Sequence, residues 1–462
     1  MFPISTYVRR RADLVAGLAK RGLTAGLVVL PGNNESPMNY ADNCYPFRQD
    51  SSFLYFFGHS RPGLAGTIDL ATGRSILFGD DLTMDDIVWT GPEPKLAELA
   101  GLAGAEASGP MAALASELGG ERPVLYLPVY REETRNLLSD LLSRPRGAIQ
   151  TGASLELLRA VIALREIKGE DEIAELDIAV ATTVAMHKAA LAMARPGLRE
   201  SDIAAKVAEI ALAAGGGLSF PVIATTRGAT LHNHSHGGIL EAGGLFLLDA
   251  GAEAPSGYAG DLTTSFPVAP SFDGRQAAIY EIVLAMGRAA TAMLRPGLAF
   301  EAAHDASALA CIRGLSDLGL MKGDPAEALA AGAHALFFPH GLGHMIGLDV
   351  HDMEALGESW VGHDGKPRST QFGRKSLRLA KPLLAGMVHS VEPGIYFIPE
   401  LIAAWKAEGR HAAFIDYAGV ESFAGFGGIR NEEDWLVTPS GARRLGPAFD
   451  KSLAAIESAR KP

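Results

Sequence analysis

The sequence predicts an α/β N-terminal domain followed by a longer α+β domain with internal pseudo-symmetry. Three observations predict this. Up to about residue 150, short apolar runs alternate with segments of helical period. A cluster of Pro145, Gly147 and Gly152 then interrupts the pattern. Beyond it, Ala189 to Leu198 resembles Ala289 to Leu298, exactly one hundred positions on, and both copies end Arg-Pro-Gly-Leu. Two copies are too few for a solenoid, so a duplicated helix–turn unit within one domain is the reading. The plainer alternative is a chance likeness between two Ala-rich helices that stop at Pro-Gly. The expected division is 1–152 as the α/β domain, 153–169 as a linker helix and 170–462 as the second domain.

Taken in order, Ser5 to Lys20 is expected to be helical. Leu27 to Leu30 is a short apolar strand closed by Pro31-Gly32. Thr67 to Leu70 and Ser75 to Phe78 flank Ala71-Thr72-Gly73-Arg74, a hairpin signal in which Gly73 can take positive φ. Pro94 to Leu102 and Glu132 to Leu142 read as helices, with a strand at Val124 to Leu127 between them. Ser154 is an N-cap candidate for a helix from Leu155 to Ile167. Gly169 ends that pattern, and Glu170, Asp171 and Glu172 suit the first turn of the next helix, where the backbone dipole favours negative charge. That helix stops at Arg195-Pro196-Gly197.

Composition narrows the function. Hydrophobic residues make up 48% and charged residues 20%, the balance of a folded globular chain. Net charge is −12, which argues against nucleic-acid binding, since phosphates need a basic face. Cys44 and Cys311 are too few for a disulfide framework and point to a reducing, cytoplasmic setting. Arg9 to Arg11 is not followed by an apolar run of signal-peptide length, and no run approaches the ~18 continuous apolar residues of a membrane span.

The residues that carry chemistry lie in the second domain. Leu245 to Ala252 is an apolar strand interrupted by Asp249, and Tyr258 to Val268 is a second strand holding Asp261, Thr263 and Ser265. Turn residues Pro255, Ser256 and Gly257 lie between them. A hairpin centred on residue 255 would set Asp249 directly opposite Asp261, with Cβ atoms roughly 5 Å apart. Two carboxylates that close on a buried face repel unless a cation lies between them. The alternative is one solvated aspartate per strand. Farther on, His340, His344 and His351 fall within twelve positions, interleaved with Gly341 and Gly343. This is not the helical His-Glu-x-x-His motif, nor does its glycine spacing fit a dinucleotide loop. Glu392 is expected at a strand end before Pro393-Gly394, and Arg430 and Glu432 on one face of a strand. Asp249, Asp261, His344, Glu392 and Glu432 together offer four carboxylates and one imidazole. That set suits a pair of divalent ions, Mn²⁺ first, with Co²⁺ or Zn²⁺ as alternatives.

These motifs together resemble the metal-dependent pita-bread peptidases, most closely the Xaa-Pro dipeptidases (prolidases) and aminopeptidase P, over nearly the whole chain. Tyr45 to Gly58 resembles the segment before the first hairpin of that family's creatinase-like N-terminal domain. The resemblance implies a pita-bread catalytic domain in which Asp249 chelates one metal, Asp261 and Glu432 bridge two, and His344 and Glu392 complete the second. It implies that His232, His340 and His351 contact substrate, and that Arg430 orients the bridging glutamate, with Thr263 behind the ligands. Tyr396 matches a tyrosine of the motif without an assigned role. Arg378, in Ser376-Leu377-Arg378-Leu379, falls where prolidases grip a dipeptide's C-terminal carboxylate; the alternative is a surface arginine in a basic stretch with Arg374, Lys375 and Lys381. The long segment between Phe397 and Gly425 also resembles dipeptidases.

The implied reaction is hydrolysis of the Xaa-Pro bond of a small peptide by a metal-bridging hydroxide. Glu392 would handle the proton, His351 would stabilise the carbonyl oxygen and His232 would position substrate. Aminopeptidase P activity on longer peptides is the alternative; a metal-free binding module and creatinase-like C–N hydrolysis are disfavoured because all five ligands remain. Relatives of this kind imply a homodimer, with neither nucleic-acid nor membrane partners. Several positions depart from the family pattern. The turn between the aspartates is one residue longer, Ala224-Thr225-Thr226-Arg227-Gly228 replaces a glycine-rich segment, and Asn233, His389 and Asn431 are unusual. None removes a ligand; the changes fall on the substrate pocket.

Overall fold

The computed structural model describes residues 2–461. The chain forms two compact units. One runs to Arg165 and includes Glu354–Gly357; the other comprises Glu166–Met353 and resumes at Glu358.

The first unit is built on five strands: β1 (Leu27–Pro31), β2 (Ala65–Asp69), β3 (Ser75–Phe78), β4 (Ala107–Gly109) and β5 (Val124–Leu125). Their order is β4-β3-β2-β1-β5, a mixed sheet with β1–β2 and β2–β3 antiparallel and both edges parallel. Leu27 to Leu30 is buried on both faces, which explains a continuous apolar run in place of alternation. Leu27 and Val29 join Ile76, Phe78, Tyr126 and Leu138 in one core. The hairpin forms as expected, with Gly73 at φ +76°. The strand expected at Val124 to Leu127 is only two residues long. A helix at Ser51–Phe57 was not expected; Asp50 Oδ1 caps it by accepting from Phe53 N at 2.9 Å, and Gly58 ends it at φ +76°. Ser154 does cap its helix, which covers Leu155–Arg165 and so ends two residues early.

In the second unit, Glu172 Oε2 accepts from Gly169 N at 3.0 Å, capping the helix Glu170–Met193. That helix is long and apolar enough by composition to cross a bilayer, yet half of its most apolar stretch is buried inside the protein. The hundred-residue echo is a real duplication of structure. In the first copy Gly197 N donates to Leu240 O and Leu240 N to Leu198 O; in the second Gly297 N donates to Leu383 O and Leu383 N to Leu298 O. Each copy leads into a helix, Glu200–Ala213 or Phe300–Asp317.

Each half also supplies a three-stranded antiparallel sheet. The first holds β6 (Ile223–Thr225), β7 (Leu245–Ala250) and β8 (Leu262–Pro267) in that order. Next come β9 (Val388–Val391), β10 (Gly394–Tyr396), β11 (Gly428–Arg430), β12 (Glu433–Thr438) and β13 (Gly441–Arg444). The second sheet runs β13-β12-β9, while β10 and β11 pair separately. The halves are sewn together at the site: Glu432 N donates to Thr263 O at 3.0 Å, and Ser265 Oγ bonds both Arg430 O and Arg430 N at 3.0 Å.

Two expectations are corrected here. Asp249 lies opposite Thr263, not Asp261. The turn is the three-residue loop Pro255-Ser256-Gly257, closed by Ala254 N to Tyr258 O at 2.8 Å with Gly257 at φ +88°, so its centre is residue 256. The resulting register moves the partner by two, and because side chains alternate with period two, Asp261 keeps the same face as Thr263. The aspartates are therefore diagonal neighbours. Arg430 and Glu432 do not share a strand either. Arg430 ends β11, and the chain leaves one sheet for the other at Asn431 and Glu432, whose N–H groups go to Pro393 O and Thr263 O.

Candidate metal centre and substrate pocket

A cavity of about 480 Å³ opens between the two half-sheets. Asp249, Asp261, His344, Glu392, Arg430 and Glu432 line it, as do His232, His340, His351 and Arg378. Every proposed ligand and substrate residue therefore reaches one chamber; Thr263 lies behind the wall.

The chain delivers these side chains by strand ends and close backbone approaches. Asp249 leaves β7 and Asp261 immediately precedes β8. A Cβ on Gly251 would stand 1.9 Å from Gly260 O, so only glycine allows the hairpin arms to meet there. Glu392 follows β9, and a Cβ on Gly343 would stand 2.2 Å from Ser390 O, which lets the His344 segment lie against that strand. His344 N donates to Ser390 Oγ at 3.1 Å.

Asp261, His344 and Glu432 bring ligand atoms within 4.8 Å of one another, all buried. His344 Nδ1 lies 3.1 Å from Met345 O. A carbonyl only accepts, so Nδ1 carries the hydrogen and a neutral ring turns its Nε2 lone pair inward. That nitrogen faces Asp261 Oδ2 at 3.5 Å, Glu392 Oε1 at 3.7 Å and Glu432 Oε1 at 4.0 Å. Asp261 Oδ1 is buried and makes no hydrogen bond among the described residues. Acceptors converging on acceptors are stable only around a cation or shared protons. Burial, Asp249 and Glu392 push the Asp261 carboxyl well above the usual carboxylate range. Burial and Glu432 do the same to Glu392, and burial and Asp261 to Glu432. The donor set thus fits a divalent cation.

Asp249 is held differently. Its Oδ2 accepts from Arg430 Nη2 at 2.5 Å. Arg430 Nη1 donates to Tyr396 Oη at 2.8 Å and Nε to Thr263 Oγ1 at 3.1 Å. Thr263 Oγ1 in turn donates to Glu432 Oε2 at 2.7 Å. The resemblance implies that Arg430 orients the bridging glutamate; the structure connects the two through Thr263 and gives the arginine directly to Asp249. Tyr396 gains a place as well, because its hydroxyl also meets His340 Nε2 at 2.9 Å. Burial, with Arg430 nearby, drives His340 down to about 3, so it is neutral at physiological pH. Arg378 is not a bare surface cation: Nη1 donates to Glu358 Oε1 at 2.7 Å while the side chain lines the cavity.

Sequence reasoning missed several supporting groups. Asp434 Oδ2 accepts from Asp261 N at 2.9 Å. Lys451 Nζ, buried and lowered to about 8 by that burial, donates to Thr263 O at 3.0 Å and Glu432 O at 2.5 Å. Lys168 Nζ donates to Asp352 Oδ2 at 2.8 Å, beside His351. No motif marks these; each acts across at least nineteen residues of chain.

Residues 174–439 match the model of metallopeptidase family M24, more than half the chain. The chain belongs to metallopeptidase family M24. Residues 7–122 match the aminopeptidase P N-terminal domain. Human Xaa-Pro dipeptidase is 30% identical to this M24 peptidase, over 96% of this chain and 91% of that one. A probable Xaa-Pro aminopeptidase of Fusarium vanettenii is 29% identical, over 96% and 94%. Among solved structures, Pseudomonas aeruginosa aminopeptidase PepP superposes with a TM-score of 0.81 at 27% identity, covering 100% of this chain and 98% of that one. The expected pairing of a creatinase-like N-terminal domain with a pita-bread catalytic domain is thereby borne out.

Proposed function

We propose that this M24 metallopeptidase hydrolyses the Xaa-Pro bond of dipeptides. The supporting observation is that Arg378 lines the same cavity as the carboxylate–histidine cluster. An arginine there offers a bidentate partner for a C-terminal carboxylate, and a cavity bounded by that arginine limits substrate length.

Asp261, His344, Glu392 and Glu432 would hold divalent cations, with Asp249 contributing while Arg430 engages its Oδ2. The reading takes two ions, with Mn²⁺ preferred for so oxygen-rich a donor set and Co²⁺ or Zn²⁺ as alternatives. Bound there, such ions would polarise the scissile carbonyl and lower the pKa of an attacking water. The chain's own residues do the rest. Glu392 takes the proton of the water and passes it to the proline nitrogen as it leaves. His351 donates to the carbonyl oxygen as negative charge develops there, and His232 positions the substrate. His340, kept neutral and bonded to Tyr396, contacts substrate without adding charge. Arg378 fixes the far end.

The second reading, aminopeptidase P activity, is favoured by a relative named a probable Xaa-Pro aminopeptidase and a structural neighbour named aminopeptidase PepP. Turnover of Ala-Pro against Ala-Pro-Ala, with metal content measured before and after chelation, separates the two. Dipeptide turnover that is lost on chelation and regained with Mn²⁺ is expected. Faster release from the tripeptide would transfer the assignment to the aminopeptidase, and undiminished turnover by fully metal-free protein would overturn both.

A further inference from the structure

His232 and His234 stand on the loop between β6 and β7, and both line the cavity. Both are exposed, and neither side chain makes a hydrogen bond of its own among the described residues. Asn233 between them is buried. The position of the histidines therefore depends on what fixes the loop.

One carboxylate bonds both ends of the loop's 226–238 stretch, at the second end beside the backbone bonds from Glu200 N to Gly238 O and from Ser201 N to His236 O. Glu200, 0% exposed, opens the helix Glu200–Ala213. Its Oε1 accepts from Thr226 N at 2.7 Å, Thr226 Oγ1 at 2.8 Å and Thr225 Oγ1 at 3.3 Å. Its Oε2 accepts from Gly238 N at 2.8 Å, at the far end of the loop. A Cβ on Gly238 would lie 2.5 Å from Glu200 Oε1, so glycine is needed for the approach. Thr225 Oγ1 also accepts from Asn233 Nδ2 at 2.8 Å, and Asn233 Oδ1 accepts from Ser235 N at 3.1 Å. A chain of hydrogen bonds thus runs from Glu200 through Thr225 to the residue between the two histidines. Burial alone would raise the Glu200 carboxyl, but these donors outweigh it and hold it below the ordinary value.

The internal duplication shows that the helix start does not itself require this carboxylate. The equivalent position is Phe300, which packs against His389 at 4.7 Å between ring centroids. Backbone bridges Arg199–Ile239 and Ala299–Pro382 form in both halves regardless.

We propose that Glu200 is a positioning residue for His232, stapling both ends of the histidine loop and setting its middle through Thr225 and Asn233. The activity arm of the test rests on the Xaa-Pro peptidase reading; the exchange arm does not. Glu200→Gln keeps the shape but turns an NH₂ toward an N–H donor at one end of the loop. In the metal-loaded protein, amide exchange of peptides spanning 226–238 should quicken roughly tenfold or more, with exchange elsewhere and bound metal unchanged. The kcat for Ala-Pro should fall roughly 10–100-fold with KM within about threefold, as for other misplaced catalytic groups. Combined with His232→Ala, Glu200→Gln should add less than about twofold to the loss from His232→Ala alone. Thr225→Val, which removes the hydroxyl's bonds to Glu200, Arg227 N and Asn233 but leaves Glu200 bonded to Thr226 and Gly238, should give a smaller loss of the same kind and stands in if Glu200→Gln does not fold. Unchanged exchange across the loop, or losses that multiply in the double variant, would overturn the proposal. A wild-type protein inactive on Xaa-Pro peptides would instead refute the peptidase reading and leave the exchange result to decide whether the staple exists.

Discussion

Replacing Asp261 by Asn should move the metal-free and metal-loaded protein in opposite directions. Ligand atoms of Asp261 and Glu432 lie within 4.8 Å of each other, where two ionised carboxylates at an effective dielectric of ~20 repel by about 3.5 kcal/mol. Proton uptake caps that cost, which is why burial, Asp249 and Glu392 raise the Asp261 carboxyl so far. A carboxyl raised on folding binds more protons in the folded state, so the metal-free protein loses stability as pH climbs from the unfolded value toward the folded one. Asparagine removes the charge, and its Nδ2 can donate to the His344 Nε2 lone pair now facing Oδ2 at 3.5 Å. In chelator at pH 8, the variant should exceed wild type by about 1–3 kcal/mol, or about 2 °C of Tm per kcal/mol for a domain of this size. The gap should narrow toward pH 5. With metal at a hundredfold excess over Kd, wild type should gain about 2.7 kcal/mol and the variant much less, with hydrolysis abolished. Scanning calorimetry at both pH values, with and without chelator, reads all of this. If chelated Asp261→Asn is no more stable than wild type and responds equally to Mn²⁺, the cluster is not a cation site.

Three further outcomes follow from other parts of the structure. Arg378→Ala should raise KM for dipeptides by the loss of a charged hydrogen bond, about 1.5–3 kcal/mol, and spare tripeptides; equal losses on both would dismiss the carboxylate clamp. Gly251→Ala should force the hairpin arms apart, since its Cβ would meet Gly260 O at 1.9 Å, and lower bound metal measured by elemental analysis without unfolding the first unit. Burial holds His334 and His389 down at about 4 and His187 at about 3. Their stability contribution is present above the unfolded value near 6.5 and is lost as pH falls toward 3–4, by up to about 1.4 kcal/mol per pH unit for each histidine. Urea unfolding of the metal-loaded His334→Leu variant between pH 6.5 and 4.5 should therefore show a slope shallower by about one proton; an unaltered slope would mean that His334 is not buried neutral.

The sequence by itself determined what depends on neighbours along the chain. The Asp69–Gly73 turn, the Ser154 cap, the Glu172 cap and the paired Pro-Gly stops are set within a few residues, and period and turn chemistry reveal them. The carboxylates Asp249 and Asp261 were legible too, because acidic groups inside apolar strands are costly and stand out, whereas His232 came only from the family resemblance. What only tertiary structure decided was where those groups meet. Gly257's positive φ sets the hairpin register two residues from the simplest estimate, and the switch of sheets at Asn431 and Glu432 depends on acceptors supplied by Pro393 and Thr263. Arg430's partner, the carbonyls held by Lys451 and the loop ends joined by Glu200 lie far off in sequence, so no local pattern encodes them. A buried charge takes its partner from whatever the fold brings within hydrogen-bond reach, and that is a property of packing rather than of spacing.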